Sequence, residues 1–164
     1  MAAALACGLA AAAYGWLWSA GGACAGETRA AEAQSRLAAV HRRLALDMAQ
    51  ALGLTRPLDG LGDVRFALRL VGADGVLREV EYCWDPARRV LWRSSSSSYV
   101  ADGVSGFAVT YLDDRGAPVD PSSLGVDTSG RVAGVAALAV AARAATGASS
   151  AEATWVFPLP TERV

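Results

Sequence analysis

The residue types that do chemistry are sparse in this chain and poorly placed for it. It holds a single His, His41, and three Cys, at positions 7, 24 and 83. A zinc site needs four protein ligands, or three and a water, at suitable spacing. One His and three scattered Cys with no Cys-x-x-Cys do not provide that. A Ser–His–acid set would have to use His41, which falls on a predicted helix with no positioned nucleophile. Gly103-Val-Ser-Gly-Phe107 ends in Phe, so it is no Gly-x-Ser-x-Gly elbow. Gly60-Leu-Gly62 lacks the third Gly and the strand-to-helix setting of a dinucleotide loop. Asp113, Asp114, Asp120 and Asp127 carry oxygens of the kind calcium takes, but their spacing matches no EF-hand loop, and turns are rich in Asp. The residues therefore predict no enzyme, no cofactor and no metal centre.

Composition narrows the classes further. The 164 residues suit one domain with a modest extension. Fifteen basic residues, all Arg, stand against sixteen acidic ones, for a net charge of −1. No basic surface is predicted, hence no nucleic-acid partner. There is no Lys, Ile or Asn, the mark of a GC-rich coding sequence, which cautions against over-reading the Ala-rich stretches.

The elements that would position any site fall into three parts. Residues 1–26 carry no ionisable side chain other than Cys7, Tyr14 and Cys24. Their length suits a membrane-crossing helix, with Leu5, Leu9 and Leu17 as its aliphatic residues. Tyr14, Trp16 and Trp18 are placed like an interfacial aromatic belt. Three readings fit: a transmembrane anchor, a signal peptide cleaved at Ala23-Cys24-Ala25, or an Ala-rich soluble helix. The absence of a positive region ahead of the apolar run weighs against the signal peptide, and the anchor is the expectation. Ala4-Leu5-Ala6-Cys7 resembles a lipobox but has too few residues before it.

Residues 27–53 read as an amphipathic continuation of the same helix. Apolar positions recur at Ala30, Ala33, Leu37, Val40, Leu44, Met48 and Ala51, in steps of three and four. Leu37, Val40, Leu44 and Met48 are expected to cover a sheet. Arg29, Glu32, Arg36, Arg42, Arg43 and Asp47 are assigned to the polar faces, with His41 at the edge. Gly53 is the expected C-terminal cap and Pro57 the stop.

From residue 64 the period changes to two. Strands are predicted over 64–71, 76–84 and 90–93, joined by Gly72-Ala73-Asp74-Gly75 and Asp85-Pro86-Ala87-Arg88 turns. The five Ser at 94–98 read as a flexible loop. Further strands are expected at 107–112 and 154–157, with a polar surface loop over 118–130. Residues 132–145 fit both an Ala-rich helix and an alternating strand. The expected fold class is α+β: a long N-terminal helix, half membrane and half amphipathic, on a small antiparallel β-domain over residues 54–164.

This arrangement, with two segments of the β-domain, resembles a known family. Tyr82-Cys-Trp-Asp-Pro-Ala-Arg-Arg-Val-Leu-Trp-Arg93 is similar to a hairpin of type IV pilin-like minor subunits, matched at Tyr82, Asp85, Leu91 and Arg93. Residues 100–113, with Val104, Phe107 and Tyr111, resemble a second segment of that family, and residues 36–50 its helix. The pattern is most similar to W-type minor pilins and J-type minor pseudopilins of type II secretion. The family's basic leader, cleavage-site Gly, aromatic-apolar run and early Glu do not occur here, so the expectation is either that this chain starts downstream of its natural start or that it belongs to a leaderless divergent branch.

The resemblance implies a non-catalytic structural subunit of a type IV pilus or type II secretion apparatus. It implies a pilin-like fold, other pilin-like subunits and the inner membrane as partners, and a single membrane pass. The C-terminal domain would lie in the periplasm or on the fibre. The assembly helix would use Leu5, Leu9, Tyr14, Trp16, Leu17 and Trp18. The alternative is a Sec-exported or membrane-tethered envelope domain with a binding role.

Overall fold

A computed structural model describes residues 2–56, 65–94, 98–126 and 131–160, and for 2–18, 20, 56 and 98 the backbone only. Helix α1 spans Ala2–Ala49, 48 residues, and runs unbroken through Gly21-Gly22. Its Ala, Leu, Arg, Glu and Gln content, with no Pro, favours helix throughout. It ends earlier than the sequence suggests. The Gln50 N–H closes a tight turn on the Asp47 carbonyl, and strand β1 (Ala51–Arg56) starts at once. Gly53 is therefore no helix cap: it sits inside β1 with φ +155°, where the register shifts between Ala51 and Gly53. A bulge of this kind admits Gly readily.

Five strands form the first sheet in chain order: β1, β2 (Arg65–Val71), β3 (Leu77–Asp85), β4 (Val90–Arg93) and β5 (Ser98–Ala101), each antiparallel to the next. Asp102-Gly103 carries the chain into the second sheet. That sheet is ordered β7 (Pro118–Val119), β6 (Val104–Leu112), β8 (Ala137–Thr146), β9 (Ser149–Pro158), again antiparallel throughout. A short 3-10 turn, Pro121–Ser123, follows β7.

The fold class expected from the sequence is overturned. Among the described residues there is a single helix against nine strands, and those strands make two antiparallel sheets rather than one small one. The protein is a β-rich fold. Two segments account for much of the difference. The ambiguous stretch 132–145 is strand: β8 lies between β6 and β9, and Leu138, Val140, Ala142 and Ala144 alternate inward. Being paired on both edges outweighs the helix propensity of its alanines. The Ser run is tied at both described ends. Ser94 exchanges hydrogen bonds with Glu81, through its own N–H and by accepting the Glu81 N–H at its Oγ, and Ser98 opens β5. Residues 95–97 lie outside the described residues.

A second correction concerns the membrane. Among the described residues no helix is long and apolar enough to cross a membrane. The expected single pass is not supported. Ala and Gly dominate the first half of α1, and Leu is too sparse there to compensate.

The core lies where the two sheets meet the second half of α1. Leu37, Val40, Leu44 and Met48 are buried, Val40 and Leu44 completely. They share one continuous apolar cluster with Phe66, Leu68 and Val80 of the first sheet and the inward residues of β8 from the second. Leu46 and His41, one step off this stripe, are exposed.

Candidate functional site

Asp47 was assigned by helical spacing to the polar face of α1, yet it is 3% exposed. It sits in the last turn, where the helix dipole disfavours a carboxylate. Its partners offset that. Tyr82 Oη donates to Asp47 Oδ2 at 2.5 Å, and Arg93 Nε donates to the same oxygen at 2.6 Å. Arg93 Nη2 reaches Oδ1 at 3.2 Å. Arg43, one helical turn earlier, stands 3.6 Å from Oδ1. The network joins the end of the helix to the β3–β4 hairpin.

Electrostatics follow the geometry. Burial, then the hydrogen bond to Asp47, pushes the Tyr82 hydroxyl well above its ordinary range. Burial works against the Arg93 charge, and the bond to Asp47 outweighs it, so the guanidinium is held above its usual value. Tyr82 also stacks on Phe66, with ring centroids 5.0 Å apart.

Asp85 accepts the N–H groups of Ala87 and Arg88 at 3.0 Å, fixing the β3–β4 turn. Leu91, Val104 and Phe107 are core residues. The Val104 carbonyl accepts the Trp84 indole N–H at 3.0 Å, linking the sheets. Tyr111 is 1% exposed, and its hydroxyl has no hydrogen-bond partner among the described residues. Burial pushes that hydroxyl up to about 12.

Arg36, expected on a polar face, straps the helix to both sheets. Its Nη1 donates to the Ala145 carbonyl at 3.2 Å and to Thr146 Oγ1 at 2.9 Å, and its Nε lies 3.5 Å from Asp102. Its guanidinium occupies the space where a Cβ on Gly103 would stand. Gly103 has φ +65°, a conformation that also favours Gly. His41 packs its ring over Trp155 and Phe157 at 5.2 and 5.8 Å.

Towards its N-terminus α1 leaves the sheets behind. Among the residues whose side chains are described, Ala33 is the first buried one, and Arg29 makes the last described approach, beside Gly147 in the β8–β9 turn. Residues 21–25 and 27–29 are exposed apart from a more sheltered Gly26. Ala2 to Thr28 form a projecting rod of about 40 Å. The side chains of Leu5, Leu9, Tyr14, Trp16, Leu17 and Trp18 lie outside the described residues; their backbone is in this rod.

The chemistry available is limited. Among the described residues no three His, Cys, Asp or Glu side chains gather where a metal could sit. Asp113 and Asp120 cap their own turns, accepting from Arg115 and Ala117, and from Ser122; Asp127 and Gly60-Leu-Gly62 lie outside the described residues. Cys24 is exposed and free, and Cys83 is free and half-buried, less sheltered than a strand Cys is expected to be. What the arrangement does is hold a rod rigidly to a β-body, and sequence reasoning missed both devices that do so, Asp47 and Arg36. The spacing 40, 44, 47, 51 carried a signal for Asp47, since it continues the apolar stripe. No protein-family model matches the chain, and no curated protein matches it.

Proposed function

We propose that this chain is a structural, minor pilin- or pseudopilin-like subunit that joins other pilin-like subunits through the projecting half of α1. The observation that carries the reading is the rod itself. An Ala- and Gly-rich helix extends about 27 residues beyond the body that its second half helps to build. Small residues let helix backbones approach closely, which suits side-by-side packing in a fibre core. The β-body would lie in the periplasm or on the fibre, presented to partner subunits. The hairpin and β6 residues of the resemblance, Tyr82, Asp85, Leu91, Arg93, Val104, Phe107 and Tyr111, serve as framework in this reading.

Co-expression with pilin-like subunits of the same host, followed by cross-linking through the exposed Cys24 thiol, tests it. A defined hetero-oligomer is expected with the native chain. Leu9→Asp should abolish it while leaving the melting temperature of the β-body unchanged. A chain that remains monomeric beside its candidate partners refutes the proposal. A second reading, an exported envelope domain that binds a ligand, is favoured by the arginine-lined cleft at the C-terminal end of α1.

A further inference from the structure

The last turns of α1 and the β2–β3 turn enclose a cleft of about 560 Å³. Arg43, Arg78 and Arg93 line it, against Asp47 as the one lining carboxylate among the described residues. Its inner wall is apolar: Leu70 and Val80 are buried, while Leu46 stands 52% exposed at the mouth.

The donors and acceptors in this cleft do not balance. Asp47 already accepts three hydrogen bonds, two at Oδ2 from Tyr82 and Arg93 and one at Oδ1 from Arg93. Arg78 Nη2 donates to Asp74 Oδ2 at 2.6 Å, just outside the lining. Arg43 is left over. Its approach to Asp47, 3.6 Å, is too long for a hydrogen bond. Its Nε is buried without a hydrogen-bond partner among the described residues. A buried donor without an acceptor is costly, and no described residue stands within hydrogen-bond distance to supply one.

Charge decides what would. Counting the described residues that line the cleft together with Asp74, three arginines stand against two carboxylates, an excess of one positive charge (3 − 2 = 1). A monoanion closes that balance. A phosphate dianion would leave excess negative charge beside an Asp47 that is 3% exposed. A guanidinium matches the planar carboxylate in a two-point bond. The apolar wall and the volume suit an anion that carries methylene groups, not a bare ion. We propose that this cleft binds an acidic side chain presented by a partner polypeptide, with Arg43 and Arg78 as the carboxylate-binding residues. The inference goes beyond the fibre reading and does not depend on it, because it is tested on the isolated chain.

The test is a titration of the full chain with acetyl-Glu-amide, followed by NMR at the Gly72 and Ala73 amides. Saturable shifts with Kd of about 1–10 mM are expected. Acetyl-Gln-amide should give none. Arg43→Gln and Arg78→Gln should each weaken binding by about tenfold or more, with melting temperatures within about 2 °C of the native chain, as for exposed ion pairs. The proposal is overturned if acetyl-Glu-amide does not saturate, or if acetyl-Gln-amide matches it. Tighter binding of inorganic phosphate overturns the choice of a monoanion. Equal binding of acetate overturns the choice of a side chain over a free ion. None of these outcomes bears on the cross-linking result, so the two proposals fail separately.

Discussion

Removing Asp47 should be among the most damaging single changes to the body. Asp47→Ala strips the counter-ion from Arg93, whose side chain is 10% exposed, and the acceptor from the buried Tyr82 hydroxyl. Breaking a buried ion pair from one side costs about 3–5 kcal/mol. Against a total stability of about 5–15 kcal/mol, that is roughly a fifth or more of what holds the fold. Tyr82→Phe removes one bond to a carboxylate that keeps Arg93, and should cost only about 1–2 kcal/mol. Asp47→Leu combined with Arg93→Met removes both charges together and should recover at least half of the single-variant loss. Urea unfolding followed by near-ultraviolet circular dichroism of Trp84, Trp92 and Trp155 reads all three. The buried position also makes the effect nearly independent of salt. A loss below about 1 kcal/mol for Asp47→Ala, or a double variant no better than the single, would show that water already solvates the network and that the argument from burial is wrong.

Leu44 is fully buried between helix and sheets, so Leu44→Asp should leave no cooperative thermal transition, a buried unpaired carboxylate costing several kcal/mol. Gly103→Ala should lower stability by about 1–3 kcal/mol, since φ is +65° and the methyl group meets the Arg36 guanidinium; Arg36→Ala in the same chain should relieve part of that loss. Tyr111→Phe should stabilise the protein by about 1 kcal/mol at neutral pH, because it removes a buried hydroxyl that lacks a partner. The same substitution should change the alkaline limb. Burial lifts the Tyr111 hydroxyl to about 12 in the folded chain, above its unfolded value near 10. Its contribution is therefore complete below pH 10 and is lost as pH rises towards 12, by about 2–3 kcal/mol. Melting curves between pH 9 and 12 should show a shallower decline for the Phe variant, and an identical slope would refute the assignment.

Strands β2, β3 and β4 of the first sheet were legible because their inward residues alternate, as with Phe66, Leu68 and Leu70, and because their turns carry Gly, Asp and Pro; β1, read as the end and cap of the helix, and β5, entered from the Ser run, were not. The stripe Leu37, Val40, Leu44, Met48 was legible for the same reason at the helical period. Periodicity failed where one residue type serves two structures. The alanines of β8 suit a helix as an isolated segment and a strand once flanked by β6 and β9, and that flanking is a long-range fact. Polar residues failed in the opposite way. Arg36 and Asp47 count as surface residues when charge alone is read, whereas the structure gives each a specific set of partners more than thirty residues away in sequence. The second sheet was underestimated because β9 shows its strand character plainly only at Thr154-Trp-Val-Phe157, its earlier half being Ser, Ala and Glu. The first half of α1 reads as membrane-like by length and by lack of charge, and it fails on the strength of its apolar residues.

The continuity of α1 has a mechanical consequence. The same helix is core for both sheets at one end and rod at the other, and Arg36 ties its midsection to the β5–β6 link and to β8. The body has no swivel on its stalk. Each residue of helix advances about 1.5 Å and turns about 100°, so the azimuth of the body is set by the number of residues between it and whatever grips the rod. One residue inserted between Gly22 and Thr28 would leave both sheets intact and rotate them by roughly a quarter turn. Tension along the rod arrives not at a linker but at the core itself, where Leu37, Val40, Leu44 and Met48 can leave only if both sheets open.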